Sequence, residues 1–126
     1  MRVVLAVALG GAIGSAARYL LAGYVQRAIG ADYPWGIMAV NVVGCAIMGA
    51  LTEALALKWS FGPELRAFLT VGILGGFTTF SSFALDTATL ASRGSLMAPA
   101  GYAIGSVVLS IAGFYVALYL VRQVLS

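Results

Sequence analysis

Apolar residues occupy four long stretches of this chain, separated by short polar connections at residues 30–34, 58–63 and 93–98. About 20 apolar residues in a helix cross the hydrocarbon of a bilayer, and each stretch is at least that long. The pattern predicts an all-α integral membrane protein whose helices cover about 3–24, 35–57, 64–92 and 99–124. Together they leave room for a single four-helix domain, with no linker and no extramembrane module. Internal repeats are not evident.

The third stretch departs from a plain span. Gly72-Ile73-Leu74-Gly75-Gly76 stands where Leu, Val and Ile are expected, and hydroxyl and aromatic side chains follow from Phe77 to Phe83. Glycine costs about 1 kcal/mol relative to Ala in a helix interior. The third helix is therefore expected to break near its middle, with Gly75 and Gly76 ending one half and Thr79 starting the other. Within hydrocarbon, broken backbone persists only where protein or a water-filled cavity satisfies it. A break here predicts a polar pathway.

Composition agrees with a membrane protein and narrows the chemistry. The chain of 126 residues is 62% hydrophobic and 9% charged, with a mean hydropathy of +1.03. Ordinary soluble domains carry roughly 25% charged residues. The net charge of +3 is scattered singly, a pattern of membrane anchors that argues against nucleic acid as a partner. With no His and only Cys45, neither a disulfide nor a dedicated transition-metal site is expected. A nucleophile–base pair is also hard to assemble without His, so no enzyme is expected.

Several positions have two readings each. Arg2, residues 3–9 and Ser15-Ala16-Ala17 resemble a cleavable signal peptide, yet apolar character resumes at Tyr19-Leu20-Leu21-Ala22, which favours a full span. Arg18 either snorkels to an interface or stands at the mouth of an anion path. Asn41, the one strongly polar residue deep in the second stretch, either glues helices together or contacts a passing solute. Glu53 lies towards the end of that stretch, where a carboxylate can reach water. Phe80 and Phe83 share a helix face with Asp86, as packing or as lining. Ser106 and Ser110 share another, and serines in such places often bond their own backbone. Gly10/Gly14 and Gly101/Gly105 have the four-residue spacing that lets membrane helices approach closely. Gly30-Ala31-Asp32-Tyr33-Pro34 reads as a turn.

Four spans put both termini on one side with Arg2, Lys58, Arg66 and Arg122, against Arg27, Arg93 and potentially Arg18. So small an asymmetry hardly fixes orientation. Four thin, glycine-rich helices also cannot readily enclose a conduit alone. Both points predict a small homo-oligomer, possible in opposite orientations. Amide and hydroxyl donors, the positive edges of phenyl rings and a nearby Arg suit an anion better than a cation. A proton-coupled multidrug-type exporter of this size is the alternative, and it needs a carboxylate at depth. Only Glu53 and Asp86 are candidates.

The motifs resemble the CrcB/Fluc fluoride channel family along essentially the whole chain. Gly10-Gly11-Ala12-Ile13-Gly14 with Arg18-Tyr19, the stretch from Gly36 through Asn41 to Gly44, Gly72 through Phe83, and Gly105-Ser106 with Ser110 and Gly113-Phe114 carry it, in order. The resemblance implies a passive fluoride channel of the bacterial inner membrane, built as a dual-topology antiparallel homodimer with two pores. It implies pore roles for Asn41, Thr79, Phe80, Ser81, Ser82, Phe83, Ser106 and Ser110, with Phe80 and Phe83 forming an aromatic box. It also implies a vestibule position for Arg18 and a structural Na+ held by the backbone carbonyls of Gly75 and Thr78. The chain departs from the family pattern at Ser82, where Thr is usual, and at Asp86, where Glu is usual.

Overall fold

The computed structural model describes residues 1–30 and 32–126, so Ala31 of the predicted turn lies outside the described residues. Helix α1 (Arg2–Ile29) is longer than its apolar stretch suggests and ends only where Gly30 turns left-handed, at φ 66°. Glycine takes that conformation without steric cost, and its N–H closes on the Gln26 carbonyl. The extension corrects the setting of Arg18, which lies well inside the helix and not near its end. Gln26 then ties down the connection, donating to the Tyr33 carbonyl at 2.9 Å and accepting from the Gly36 N–H at 3.1 Å.

Helix α2 covers Trp35–Leu57, as the pattern predicts. The third span has several parts: α3 (Pro63–Ala67), a π-helical stretch (Phe68–Leu74), α4 (Gly75–Phe77), two extended residues and α5 (Phe80–Ala91). Helix α6 (Met97–Leu125) completes the chain. Among the described residues, four helical spans are long and apolar enough to cross a membrane, and the third is bent. The chain is an all-α, multi-pass membrane protein. Many large apolar side chains point outward, where hydrocarbon is their solvent.

The position of the break corrects the expectation. Gly75 is helical, at φ −64° and ψ −36°, and Gly76 lies inside α4. The glycines serve contact with α1 instead. A Cβ on Gly72 would come within 2.8 Å of the Gly10 Cα, and one on Gly76 within 2.9 Å of the Gly11 carbonyl. From the other side, a Cβ on Gly10 or Gly14 would run into the Phe68 or Ile73 carbonyl. The helix propensity lost at these positions is offset by backbone-to-backbone packing, which small residues permit.

Elsewhere α2 and α6 lie against each other along much of their length, and Gly49 is the close-approach residue, since a Cβ there would strike the Phe114 carbonyl. The expected Gly101/Gly105 pair is not a tight contact within the chain, where the nearest atoms would be 4.0 and 3.8 Å from an added Cβ. Glu53 also departs from expectation. It is only 6% exposed and accepts from Arg122 Nε at 2.6 Å, joining the ends of α2 and α6. Met38, Leu90 and Tyr102 form a buried cluster, with Tyr33 and Phe83 packed against it.

Candidate functional site

The break itself consists of Thr78 (φ −85°, ψ 156°) and Thr79 (φ −150°, ψ 124°). Two side chains hold it. Asn41 grips the Thr79 backbone at both groups, its Nδ2 donating to the carbonyl at 3.0 Å and its Oδ1 accepting from the N–H at 2.8 Å. Thr79 Oγ1 in turn accepts from the Ser82 N–H at 3.1 Å and caps α5. Backbone that would be costly in hydrocarbon is thereby paired. Asn41 thus fastens α2 to the third span, and it also borders the cavity described next.

This arrangement takes the usual helical donors away from two carbonyls. The N–H that would close a helical turn on Gly75 belongs to Thr79 and is turned to Asn41. The one that would close on Thr78 belongs to Ser82 and is taken by the Thr79 hydroxyl. Arg18 Nη1 reaches the Thr78 carbonyl at 3.5 Å, at the long limit of a hydrogen bond. Carbonyl oxygens are hard donors of the kind that replace the hydration shell of an alkali cation, so their chemistry is compatible with Na+. Among the described residues no group of three or more His, Cys, Asp or Glu could hold a metal by side chains.

On one side of the break lies a cavity of about 310 Å³, bordered by Asn41, Thr79, Phe80, Phe83, Ser106 and Ser110. The Phe80 and Phe83 rings are 5.5 Å apart and tilted by 55°. Phe83 is half-buried and lies 5.5 Å from the Tyr102 ring, whereas Phe80 projects outward, 79% exposed. Ser106 is 4% exposed. Its Oγ has no partner in hydrogen-bonding geometry among the described residues, although the Tyr102 hydroxyl stands close by. It does not bond its own backbone, the fate expected of a lone membrane serine.

A second cavity, of about 710 Å³, has Arg18, Arg27 and Arg93 on its walls, with Ser82, Asp32 and Asp86. Here Arg18 joins the two arginines of its side of the molecule. Arg93 Nη1 donates to the Asp32 carbonyl at 2.6 Å. Burial pushes the Tyr33 hydroxyl, another wall group, above the ordinary tyrosine range, so it remains a neutral donor at neutral pH. Positive charge and donors in a concave space raise the local concentration of anions.

Six of the eight expected pore positions therefore border one cavity. Ser82 faces the arginine-walled cavity instead, and Ser81 Oγ lies 3.3 Å from Thr79 Oγ1. Tyr102 was not singled out from the sequence. It is fully buried, its hydroxyl donates to Asp86 Oδ2 at 3.4 Å, and it thereby touches Phe83 of one cavity and Asp86 of the other. Its place four residues before Ser106, on the same helix face, is the signal that could have found it.

Residues 5–118 match the model of a protein family described as CrcB-like protein, Camphor Resistance (CrcB). The chain belongs to the CrcB family. A CrcB relative from Rhodospirillum centenum is 50% identical over 122 residues, covering 97% of each chain. One from Chelativorans sp. is 50% identical over 119 residues, covering 94% of this chain and 95% of the relative. One from Agrobacterium fabrum is 48% identical over 117 residues, covering 93% and 94%. All three are named "Fluoride-specific ion channel FluC".

Proposed function

We propose that this protein is a fluoride-specific channel that lets fluoride leave the cytoplasm passively, in the inner membrane of a bacterium. The observation that carries the reading is Ser106 Oγ, beside a cavity bordered by Phe80, Phe83, Asn41 and Ser110. This buried hydroxyl has no partner in hydrogen-bonding geometry among the described residues, with only the Tyr102 hydroxyl close by. A buried polar group left unpaired costs about 1–3 kcal/mol, which a small anion or water accepting its proton recovers. Ring edges and hydroxyls can solvate an anion that has shed water. The arginine-walled cavity gathers anions, and the aromatic–hydroxyl cavity carries them past the break. The names of relatives at about 50% identity support fluoride as the anion. A proton-coupled exporter is less well supported, because Glu53 is paired with Arg122 and Asp86 is bonded to Tyr102.

The working unit is an antiparallel homodimer with a central Na+. Each chain offers two carbonyls that have lost their helical donors, that of Gly75 and that of Thr78, which Arg18 reaches only at 3.5 Å. Two chains together offer four, closer to the shell an alkali cation needs. Outward-pointing Phe80 reaches the partner's side of the path. An open apolar groove of about 820 Å³ beside Leu74 and Phe77 receives helices of the second copy. Dual orientation agrees with the near balance of cations on the two sides. Cysteine labelling of both termini in cells separates the topologies, and labelling from one side only would refute the antiparallel arrangement.

Liposome efflux tests the function. Protein reconstituted with fluoride inside should release it rapidly when the membrane potential is relaxed, with chloride retained. Absence of fluoride release, or chloride release at the same rate, would overturn the reading.

A further inference from the structure

Fluoride conduction does not call for a thiol, yet the aromatic–hydroxyl cavity has one. Cys45 stands one helical turn beyond Asn41 on α2, so the two share a face, and it borders the same cavity as Phe80, Ser106 and Ser110. It is half-buried and free of any disulfide. A second observation supports a guest in this space. Ser106 on its wall is 4% exposed, and its Oγ has no partner in hydrogen-bonding geometry among the described residues, with only the Tyr102 hydroxyl nearby. Groups so placed ordinarily bind water or a solute.

We propose that Cys45 is a modification site inside the conduction path, open to small, neutral, thiol-directed electrophiles that block fluoride once attached. The inference rests on reading this cavity as the pore. With methyl methanethiosulfonate the step is a sulfur exchange. The Cys45 thiol gives its proton to water, and its sulfur attacks the methylthio sulfur of the reagent. The reagent's sulfur–sulfur bond breaks, methanesulfinate leaves, and Cys45 carries a mixed disulfide ending in a methyl group. That cap removes the S–H donor and puts an apolar methyl beside Asn41 and the two phenyl rings. A partly dehydrated anion meets bulk and lost solvation at the same point.

The test uses purified full-length protein in liposomes, treated with methyl methanethiosulfonate. Intact mass spectrometry reads the adduct, and a fluoride electrode reads efflux. The expected result is one methylthio adduct, on Cys45, with efflux slowed about tenfold, equivalent to ~1.4 kcal/mol of added barrier, and recovery on dithiothreitol. In Cys45→Ala the rate after reagent should equal that protein's own rate before it. Should Cys45→Ala fail to fold, Cys45→Ser and dithiothreitol reversal of the unmutated protein carry the same comparison. Full labelling with unchanged efflux would place Cys45 outside the path and overturn the proposal, while the efflux itself upholds the channel. Absence of an adduct, or equal slowing of Cys45→Ala, would overturn it too. A protein that releases no fluoride before any reagent is added fails as a channel, and the proposal fails with it.

Discussion

From Pro63 to Phe77 the third span lies against α1, and small residues bring the two backbones into direct contact at Gly10, Gly14, Gly72 and Gly76. From Phe80 to Ala91 it turns to α6 instead, through the Phe83–Tyr102 ring pair and the bond between Asp86 and Tyr102. The first half has no room for a side chain where Gly72 and Gly76 meet α1. The second carries hydroxyls and rings that border open space. The two halves belong to one membrane span, yet one packs as a wall and the other borders open space. Thr78 and Thr79 divide them.

The largest effect should come from adding a side chain to the packed half. In Gly14→Leu the new Cβ would meet the Ile73 carbonyl, and backbone cannot turn away as a side chain can. Overpacking commonly costs ~1–3 kcal/mol and sometimes more. Here α1 must separate from the span along the whole contact, so the expected outcome is little or no monodisperse protein on size exclusion in detergent. Gly11→Leu, three positions away with open space beyond its Cα, should be recovered normally. Equal recovery of both variants would show that the first half is not the packed wall.

Next comes the fastening between the halves. Asn41→Ala strips both partners from the Thr79 backbone, and each orphaned group is worth ~1–3 kcal/mol, part of it returned by water entering the cavity. Folded protein should be obtained with a lowered melting temperature and fluoride efflux greatly reduced, because the break loses its shape. Full efflux from Asn41→Ala would show that the break needs no clip.

How much of this was legible beforehand follows from what each signal reports. Span number and bounds depend on apolar length, which the bilayer dictates, so α2 was read to the residue. The end of α1 was not, because only Gly30 stops it and the residues before it still suit a helix. Gly75 and Gly76 were read through helix propensity, a local property, whereas their use is a contact with α1 that a single stretch cannot reveal. Asn41 was visible as a polar residue at depth, but its partner lies 38 residues away. Glu53 looked like a carboxylate near water because Arg122, 69 residues on, carries no local mark of pairing with it.

The two rings sharpen the comparison within the second half. Phe80 is 79% exposed, so Phe80→Ile removes little packing inside the chain and should leave its melting temperature almost unchanged while cutting fluoride efflux. Phe83 packs on Tyr102. Phe83→Ile should cut efflux and lower stability as well, by the ~0.5–1.5 kcal/mol typical of a lost aromatic pair. Normal efflux from both would reduce the rings to packing and leave the lining to the hydroxyls alone.

The smallest effect concerns Thr79, where a cap and a lining group are the same atom. Its Oγ1 accepts from the Ser82 N–H, and losing such a cap costs about 1 kcal/mol. Thr79→Val keeps the β-branch that favours extended backbone but removes the acceptor, so its melting temperature should drop slightly. Thr79→Ser restores the acceptor and should recover that stability. Efflux then separates the two roles. If the hydroxyl only holds the start of α5, the three proteins should differ in conductance no more than in stability. If it also solvates the anion, Thr79→Val should lose efflux well beyond its loss of stability, and Thr79→Ser should not. That second outcome is expected, because Thr79 borders the cavity alongside Ser106 and Ser110, and a hydroxyl that accepts from Ser82 can offer its own proton to a solute when Ser81 donates in their shared bond.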